Sequence, residues 1–189
     1  CSHPRDNSRG RTIHFTSQAQ REIDMTSKAG FASGVIEMLK EDHQKVKGLF
    51  EEFESAEGSQ RAAIAATAIR ELEIHAELEE KLIYPAIRQE IEEDDLMNEA
   101  VEEHHLVHVL IKELKKLKSS DEIFQAKFTV LGELVKHHVK EEEDEMLPKA
   151  EKCDIDWEAL ETTVMKRKEA LVSKGTPAGA KKSPSKGRG

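Results

Sequence analysis

Aromatic residues are scarce in this sequence, and so are the residues that interrupt helices. Phe, Trp and Tyr make up 4% of the 189 residues, which include 10 glycines and 5 prolines. Charged residues make up 35%, and long tracts are rich in Glu, Lys, Leu, Ala and Ile. This composition disfavours β-sheet and predicts an all-α fold. The length is sufficient for one domain with a substantial core.

Cysteine and long apolar runs are nearly absent. Cys1 and Cys153 lie far apart, and Cys1 falls in a predicted tail. We therefore expect both to be free thiols in a reducing compartment. No apolar run approaches the ~20 residues that a membrane-spanning helix needs, and the N-terminus lacks the pattern of a secretory signal. The sequence thus predicts a cytoplasmic protein without a membrane partner.

Basic charge is scarce in the central part of the chain. Residues 35–173 carry a net charge of −16, whereas 1–34 carry +2 and 174–189 carry +5. An acidic core repels phosphate, so no nucleic-acid partner is expected. We predict that 1–34 are disordered and that 174–189 form a basic flexible tail, whose protein partner is unknown. Met25 opens the stretch MTSKAGFASGV, and one interpretation is that residues 1–24 are upstream read-through.

The central part carries apolar residues at alternating steps of three and four, which is typical of helices that bury one face. Four such stretches span about 35–56, 60–91, 95–118 and 122–147. Short connections between them predict an antiparallel up-down-up-down four-helix bundle over 35–150. A short fifth helix is predicted at 157–172, within the C-terminal segment 151–173, with Asp156 as its N-cap. The seam of the second stretch is Ala65, Ala68, Leu72, His75, Glu79, Leu82 and Ala86.

Each seam also carries a histidine, and two of them repeat a longer motif. HAELEEKLIYP begins at His75, and HHVKEEEDEMLP contains His138. In both copies a glutamate, Glu79 or Glu142, follows the histidine by four residues, and a proline follows it by ten. The first and third helices match each other around His43 and His104. The chain is therefore two copies of one helix pair.

The spacing of His and Glu at i and i+4 puts both side chains on one helix face. Two related copies bring four imidazoles and two carboxylates to the centre of the bundle. Imidazole suits iron, zinc, copper and nickel, and a carboxylate can bridge two cations. A lone His in a seam is more often a hydrogen-bonded core residue, but six buried polar groups left unsatisfied would each cost roughly 1–3 kcal/mol. That total rivals the ~5–15 kcal/mol stability of a domain, so the pattern indicates a dinuclear metal site.

These motifs resemble the hemerythrin-like family of bacterial type, the HHE cation-binding domain, over about residues 35–150. The resemblance implies a four-helix bundle that holds two iron ions, although zinc or manganese would also fit many of these ligands. It implies that His43, His75, His104 and His138 are terminal ligands. It also implies that Glu79 and Glu142 bridge the irons.

Two departures from respiratory hemerythrins leave the ligand set open. Those proteins have a fifth histidine, and His108 either fills that role or is a partly buried polar residue beside the site. Their last bridging carboxylate is an Asp five residues after its His. Here Glu142 follows His138 by four residues, and Glu143, at five, is expected to point to the next face of the helix. His105 and His137 fall off the seams and are interpreted as surface residues or neighbours of the site.

The ligand count separates the functional alternatives. With about six positions per iron, five histidines leave about one open position, suited to reversible oxygen binding. Four leave about two, with room for peroxide or nitric oxide and for redox turnover. No acid/base or nucleophile pattern stands out beyond the ligands. That absence neither supports nor excludes an enzyme. Because the shell is rich in His and has only two carboxylates, the leading hypothesis is a non-enzymatic carrier, store or sensor of dioxygen or a related small ligand.

Two further hypotheses remain open. One is an enzyme that removes peroxide or nitric oxide at the same centre. The other is a regulatory or iron-handling module that uses the fifth helix and the basic tail as a partner surface. A ferritin-like oxidase is disfavoured, because Glu102-x-x-His105 has no second copy in the fourth helix.

Overall fold

The chain is predominantly helical in the part that the structure describes. The computed structural model describes the backbone of residues 18–91 and 94–174, and the side chains of 34–91 and 95–174. No strand occurs within these ranges, which confirms the predicted all-α class. The predictions for residues 1–17, for Cys1 and for the tail from 175 onward lie outside the described residues.

Four helical rods form the bundle, and two of them are interrupted by a π-helical segment. The rods are α1 (Gln18–Ser55); α2 (Gly58–Leu78) with a first π segment (Glu79–Ile83) and α3 (Tyr84–Arg88); α4 (Asp94–Leu114); and α5 (Glu122–Glu141) with a second π segment (Glu142–Met146) and α6 (Leu147–Ala150). Helix α1 packs on α2 and α5, and α4 packs on the same two helices, which closes a ring. Because successive rods are joined by short connections, the bundle is antiparallel, as predicted.

Helix α1 begins at Gln18, whereas the sequence pattern predicted its start near residue 35 and disorder before it. The stretch QAQREIDM at 18–25 consists mostly of good helix formers. Residues with high helix propensity can continue a helix where no apolar period is present, so the missing period did not mark the start of α1. The start of the helix is therefore corrected to Gln18, whereas the start of the bundle domain at residue 35 stays a prediction.

The two π segments correct the prediction that the second and fourth rods are regular helices. The N–H groups of Tyr84 and Leu147 donate to the carbonyls five residues earlier, those of Glu79 and Glu142. A proline follows directly in both rods. Proline has no N–H and its ring clashes with the carbonyl four residues before it, so the wider turn accommodates it. Each π segment begins at a glutamate that was singled out from the sequence.

The first π segment also moves the seam by one residue. The sequence predicted Leu82 and Ala86 on the buried face, but both are only partly buried. Ile83 and Ile87 are 1% and 0% exposed and take their place. An extra residue in the π turn rotates all following side chains, and this change of period is invisible to a count in steps of three and four.

Two apolar clusters fill the bundle, one toward each end. Near α7 (Trp157–Lys174) the cluster includes Leu39, Leu78, Ile87, Met97 and Trp157. The opposite cluster includes Val46, Leu72, Val107, Phe128 and Leu131. The polar residues His43, His75, Glu79, His104, His138 and Glu142 lie between the two clusters along the rods and are all at most 6% exposed.

Helix α7 covers the face of the bundle formed by α1 and α2. Its N-terminus is capped as predicted, because Asp156 Oδ1 accepts a hydrogen bond from Ala159 N–H at 3.1 Å. Trp157 and Val164 are buried beneath it. A Cβ atom at Gly34 would lie 2.8 Å from Glu161 Oε1, so glycine permits this close approach. None of the helices in the described part is long and apolar enough to cross a membrane.

Candidate metal centre

The four seam histidines point their Nε2 atoms at one another in two pairs. His43 Nε2 lies 3.1 Å from His75 Nε2, and His104 Nε2 lies 3.1 Å from His138 Nε2. The first pair comes from α1 and α2, the second from α4 and α5. Each copy of the repeat thus supplies one pair, as the internal symmetry requires.

Two glutamates lie between the pairs. Glu79 Oε1 is 3.2 Å from His75 Nε2, and its Oε2 is 3.3 Å from His104 Nε2. Glu79 therefore contacts both pairs, one with each oxygen. Glu142 Oε2 is 3.2 Å from His43 Nε2. Ligand atoms of His43, His75, Glu79 and Glu142 form one tight group, and those of Glu79, His104 and His138 form another.

A carboxylate stands behind each imidazole, at its Nδ1 atom. The pairs are His43–Glu143 at 2.8 Å, His104–Glu80 at 3.1 Å, His138–Glu103 at 2.7 Å and, more loosely, His75–Asp42 at 3.6 Å. An Nδ1–H group that donates to a carboxylate leaves the Nε2 lone pair free to face the centre. This arrangement is typical of histidines that bind metal ions.

The imidazoles and carboxylates of the cluster attract each other strongly, because they are buried and little water screens their charges. Burial lowers the pKa of His75, but the charge of Glu79 and hydrogen bonds to Asp42 and Glu79 outweigh it and raise that pKa to about 10. Burial raises the pKa of Glu79, but His75 and His104 hold it well below its ordinary value. The two carboxylates thus favour positive charge at the imidazoles, which either protons or metal cations can supply.

Tyr84 closes the cluster on the side of the first apolar cluster. Its hydroxyl donates a hydrogen bond to Glu142 Oε1 at 3.3 Å and lies 3.4 Å from the Nε2 atoms of His104 and His138. Burial and the charges of Glu142 and Glu79 raise its pKa well above the usual value, so the hydroxyl keeps its proton. On the opposite side a cavity of about 20 Å³ is lined by Val46, Leu72, Val107 and Val135, which is room for about one water molecule.

The residues present fit a metal pair. Both oxygens of Glu79 and Oε2 of Glu142 are buried, and at the centre they lie 3.2–3.3 Å from imidazole Nε2 atoms. Buried carboxylates are costly unless positive charge compensates them, and cations between the histidine pairs would supply that charge. Imidazole nitrogen and carboxylate oxygen are donors that iron, zinc and manganese accept.

The structure brings all six principal predicted residues together and places the others outside. His108 is exposed, and its Nε2 lies 2.7 Å from Glu80 Oε1. It belongs to neither ligand group among the described residues, and its side chain is exposed instead of partly buried, so its role stays a prediction. His105 and His137 are exposed, as expected.

Glu143 differs from its prediction. It was expected on the next face of the helix, yet it contacts His43 Nδ1. The second π segment changes the angle between successive residues, and this brings Glu142 and Glu143 to the same site.

Sequence reasoning missed Asp42, Glu103 and Tyr84. The repeat contains a signal for the first two, because an acidic residue directly precedes His43 and His104 in both copies. Tyr84 had a weaker signal: it precedes the repeated proline where the other copy has Leu147. The hydroxyl of Tyr84 therefore distinguishes the first half of the repeat from the second, which has the apolar Leu147 at this position.

Comparison with known proteins agrees with this geometry. The family model of the hemerythrin HHE cation binding domain matches residues 34–150. A solved structure of a hemerythrin HHE cation binding domain-containing protein from Mycobacterium kansasii is similar at a TM-score of 0.62 and 26% identity, over 73% of this chain and 86% of that one. A DNA nickase from Nostoc sp. is 29% identical over 110 residues, which are 58% of this chain and 31% of the nickase. The chain thus spans about a third of that curated relative.

Proposed function

Because this chain belongs to the hemerythrin HHE cation-binding family, we propose that its buried cluster holds two iron ions that bind dioxygen or a related small ligand. The observation that carries the proposal is the position of Glu79 between the two histidine pairs. One of its oxygens contacts His75 in the first pair, and the other contacts His104 in the second. The coarser statement, a metal-binding module built from buried His and Glu, needs only the family and the cluster.

The ligands divide by pair. His43 and His75 would hold one ion, and His104 and His138 the other, with Glu79 and Glu142 shared between them. An iron pair supplies two adjacent redox-active cations at this place. Zinc or manganese would fit the same donors, but zinc has no redox chemistry and would not support reactions of oxygen.

The protein's own side chains would select and orient the small ligand. The cavity beside the histidines is lined largely by apolar side chains and has room for a very small molecule. Its valines and leucine exclude water, which strengthens electrostatic interactions inside. Tyr84 holds a proton at its hydroxyl and presents it toward Glu142 on the other side.

Removal of peroxide or nitric oxide is a second candidate, and the position of His108 favours it. His108 bonds to Glu80 on the surface instead of joining the cluster, so four histidines face the two ions. Four leave about two open positions, which suits turnover better than reversible binding. An iron-handling or regulatory role would use the same centre with slower chemistry.

We do not extend the activity of the Nostoc DNA nickase to this chain. The matched segment is a minor part of that protein. Residues 35–173 also carry a net charge of −16, which repels the phosphate backbone. We expect no binding to a DNA duplex at physiological salt.

Elemental analysis and optical spectra test the proposal. Protein purified without added metal should contain about two iron atoms per chain, and the reduced protein should change its absorption when oxygen is added. Reversal on removal of oxygen supports the carrier or sensor function. Peroxide consumption far above that of free iron, lost in His75→Ala, supports the enzyme. Iron-free protein, or iron that responds to neither oxygen nor peroxide, contradicts both.

A further inference from the structure

A separate cluster of metal-ligating side chains lies beside the candidate centre, at the outer surface of α4 and α5. His137 Nε2 is 3.1 Å from Glu141 Oε1 and 3.5 Å from Glu103 Oε1. Ligand atoms of all three residues lie within 4.8 Å of one another. The His137 side chain is 58% exposed, whereas that of Glu103 is 10% exposed. The cluster is therefore anchored in the protein and open to solvent.

The spacing of the donor atoms suits a metal ion. Metal–ligand bonds of about 2.0–2.2 Å put neighbouring donors about 3.0–3.5 Å apart in tetrahedral or octahedral sites. The two measured separations fall in this range. One imidazole and two carboxylates are donors typical of sites for ferrous iron, manganese or zinc. The exposed side leaves room for water molecules as further ligands.

Comparison of the two repeat copies indicates that a positive charge would be favourable beside Glu103. In the first helix pair the counterpart of Glu103 is Asp42, since each directly precedes a central histidine. Both oxygens of Asp42 lie 2.7 Å from the ammonium of Lys168 on α7. Helix α7 has no counterpart over α4 and α5 among the described residues. Glu103 thus faces His137 and solvent where Asp42 faces a fixed positive charge.

Two further positions of this cluster are polar in the second helix pair and apolar in the first. The counterparts of His137 and Glu141 in the first helix pair are Ile74 and Leu78. Both are buried, at 7% and 0% exposure, beside the helix that covers that face. The second pair has instead placed two potential ligands at these positions. In this half of the bundle, no described helix covers the outer surface of α4 and α5 as α7 covers α1 and α2.

A small cavity is lined by residues of both this cluster and the buried centre. Its volume is about 10 Å³, and its polar lining is Glu103 and Glu141 on one side and His138 and Glu142 on the other. Glu103 takes part in both places, because its Oε2 accepts a hydrogen bond from His138 Nδ1 at 2.7 Å. A cation at the surface cluster would lie one carboxylate away from a proposed ligand of the centre. The cavity is too narrow for a hydrated cation, so an entering ion would exchange water for these side chains.

We propose that Glu103, His137 and Glu141 form a solvent-facing site for a divalent transition-metal cation, from which metal ions enter the buried centre. The site itself follows from the surface cluster alone. The entry role rests on the proposed function, because it requires that the centre holds metal.

A zinc titration of the metal-free full-length chain tests the site. Calorimetry should resolve a binding event that is at least about tenfold weaker, or absent, in His137→Ala and in Glu141→Gln. His105→Ala is the matched control, since His105 is also exposed and also lies next to a central histidine. Glu103 is left intact because it also orients His138. Identical zinc binding in the wild type and in both variants overturns the site.

The rate of metal uptake tests the entry role. Cobalt(II) gives a visible absorption band when it enters a histidine site, so stopped-flow mixing can follow loading. We expect His137→Ala to load the centre roughly tenfold more slowly, with the same final cobalt content, and His105→Ala to load at the wild-type rate. Equal rates in all three proteins overturn the entry role. If the wild-type centre takes up no cobalt, iron or zinc, the proposed function and the entry role both fail, while the zinc titration still decides on the surface site.

Discussion

Each central imidazole has a carboxylate at its Nδ1 atom, on the side of the ring that faces away from the other imidazoles. Glu143 accepts a hydrogen bond from His43 Nδ1, and Glu80 does the same for His104. These two bonds cross between the helix pairs, whereas Asp42 and Glu103 act within a pair. The carboxylates fix the ring orientation and tautomer, and they make Nε2 a stronger donor to a cation.

Removing one of these carboxylates should weaken metal binding without unfolding the protein. Glu143→Gln keeps the shape but lowers the basicity of His43, so we expect roughly 10–100-fold weaker metal affinity. Competition with a chromogenic chelator measures it. Glu145→Gln is the control, because Glu145 is exposed and two residues further along the same π segment. Equal loss in both variants would show that only the local net charge matters.

The role of His108 can be settled by substitution. Since its Nε2 binds Glu80 at the surface, we expect His108→Ala to retain the full metal content, whereas His104→Ala loses at least one ion. Metal analysis after gel filtration measures both. A drop of one ion in His108→Ala would show instead that His108 is the fifth ligand.

The sequence predicted the six central residues because they share seams with apolar residues and repeat in register. It did not predict their supporting carboxylates, because a contact such as Glu143 with His43 joins rods that are 100 residues apart in the chain. Steps of three and four describe one helix at a time. Contacts across the bundle depend on the relative rotation of the rods, and at this site the π segments alter that rotation.

At the scale of elements, the two π segments and helix α7 determine which charged side chains reach the candidate metal centre and its surroundings. Each π segment presents two successive acidic residues to the centre, one between the histidine pairs and one behind a ring. An α-helix separates successive side chains by about 100° and would turn the second glutamate away. The prolines that accompany these segments were visible in the sequence, but the change from α to π geometry was not.

Helix α7 contributes an ion pair that should stabilise the fold. Lys168→Ala leaves the partly buried Asp42 without its cation, and we expect a loss of about 1–2 kcal/mol in the free energy of unfolding. Urea denaturation followed by circular dichroism measures it. Lys166→Ala is the control on an exposed face of the same helix. If both variants are as stable as the wild type, the pair between α7 and α1 contributes nothing measurable.

At the scale of the whole molecule, a polar layer divides the apolar interior into two clusters. The layer holds two buried carboxylates and four imidazoles, which apolar packing cannot stabilise. The bundle's architecture followed from the seams alone. The start of α1 could not be placed in the same way, because its N-terminal part shows no seam.

Bound metal should therefore stabilise the entire bundle. A ligand that binds only the folded state, present at 100 times its dissociation constant, adds about 2.7 kcal/mol. We expect removal of metal by a chelator to lower the thermal midpoint, and added iron or zinc to restore it. Differential scanning calorimetry measures the shift. A midpoint that is unchanged by chelation and by metal would show that the polar layer is stable on its own.

Trp157 is the single tryptophan of the chain, and it is 2% exposed at the first residue of α7. Its fluorescence therefore originates at the junction between α7 and the bundle. Detachment of α7 would wet the indole and shift its emission to the red while the rest of the protein remained helical. Nature has thus supplied an intrinsic optical probe that distinguishes undocking of this helix from melting of the core.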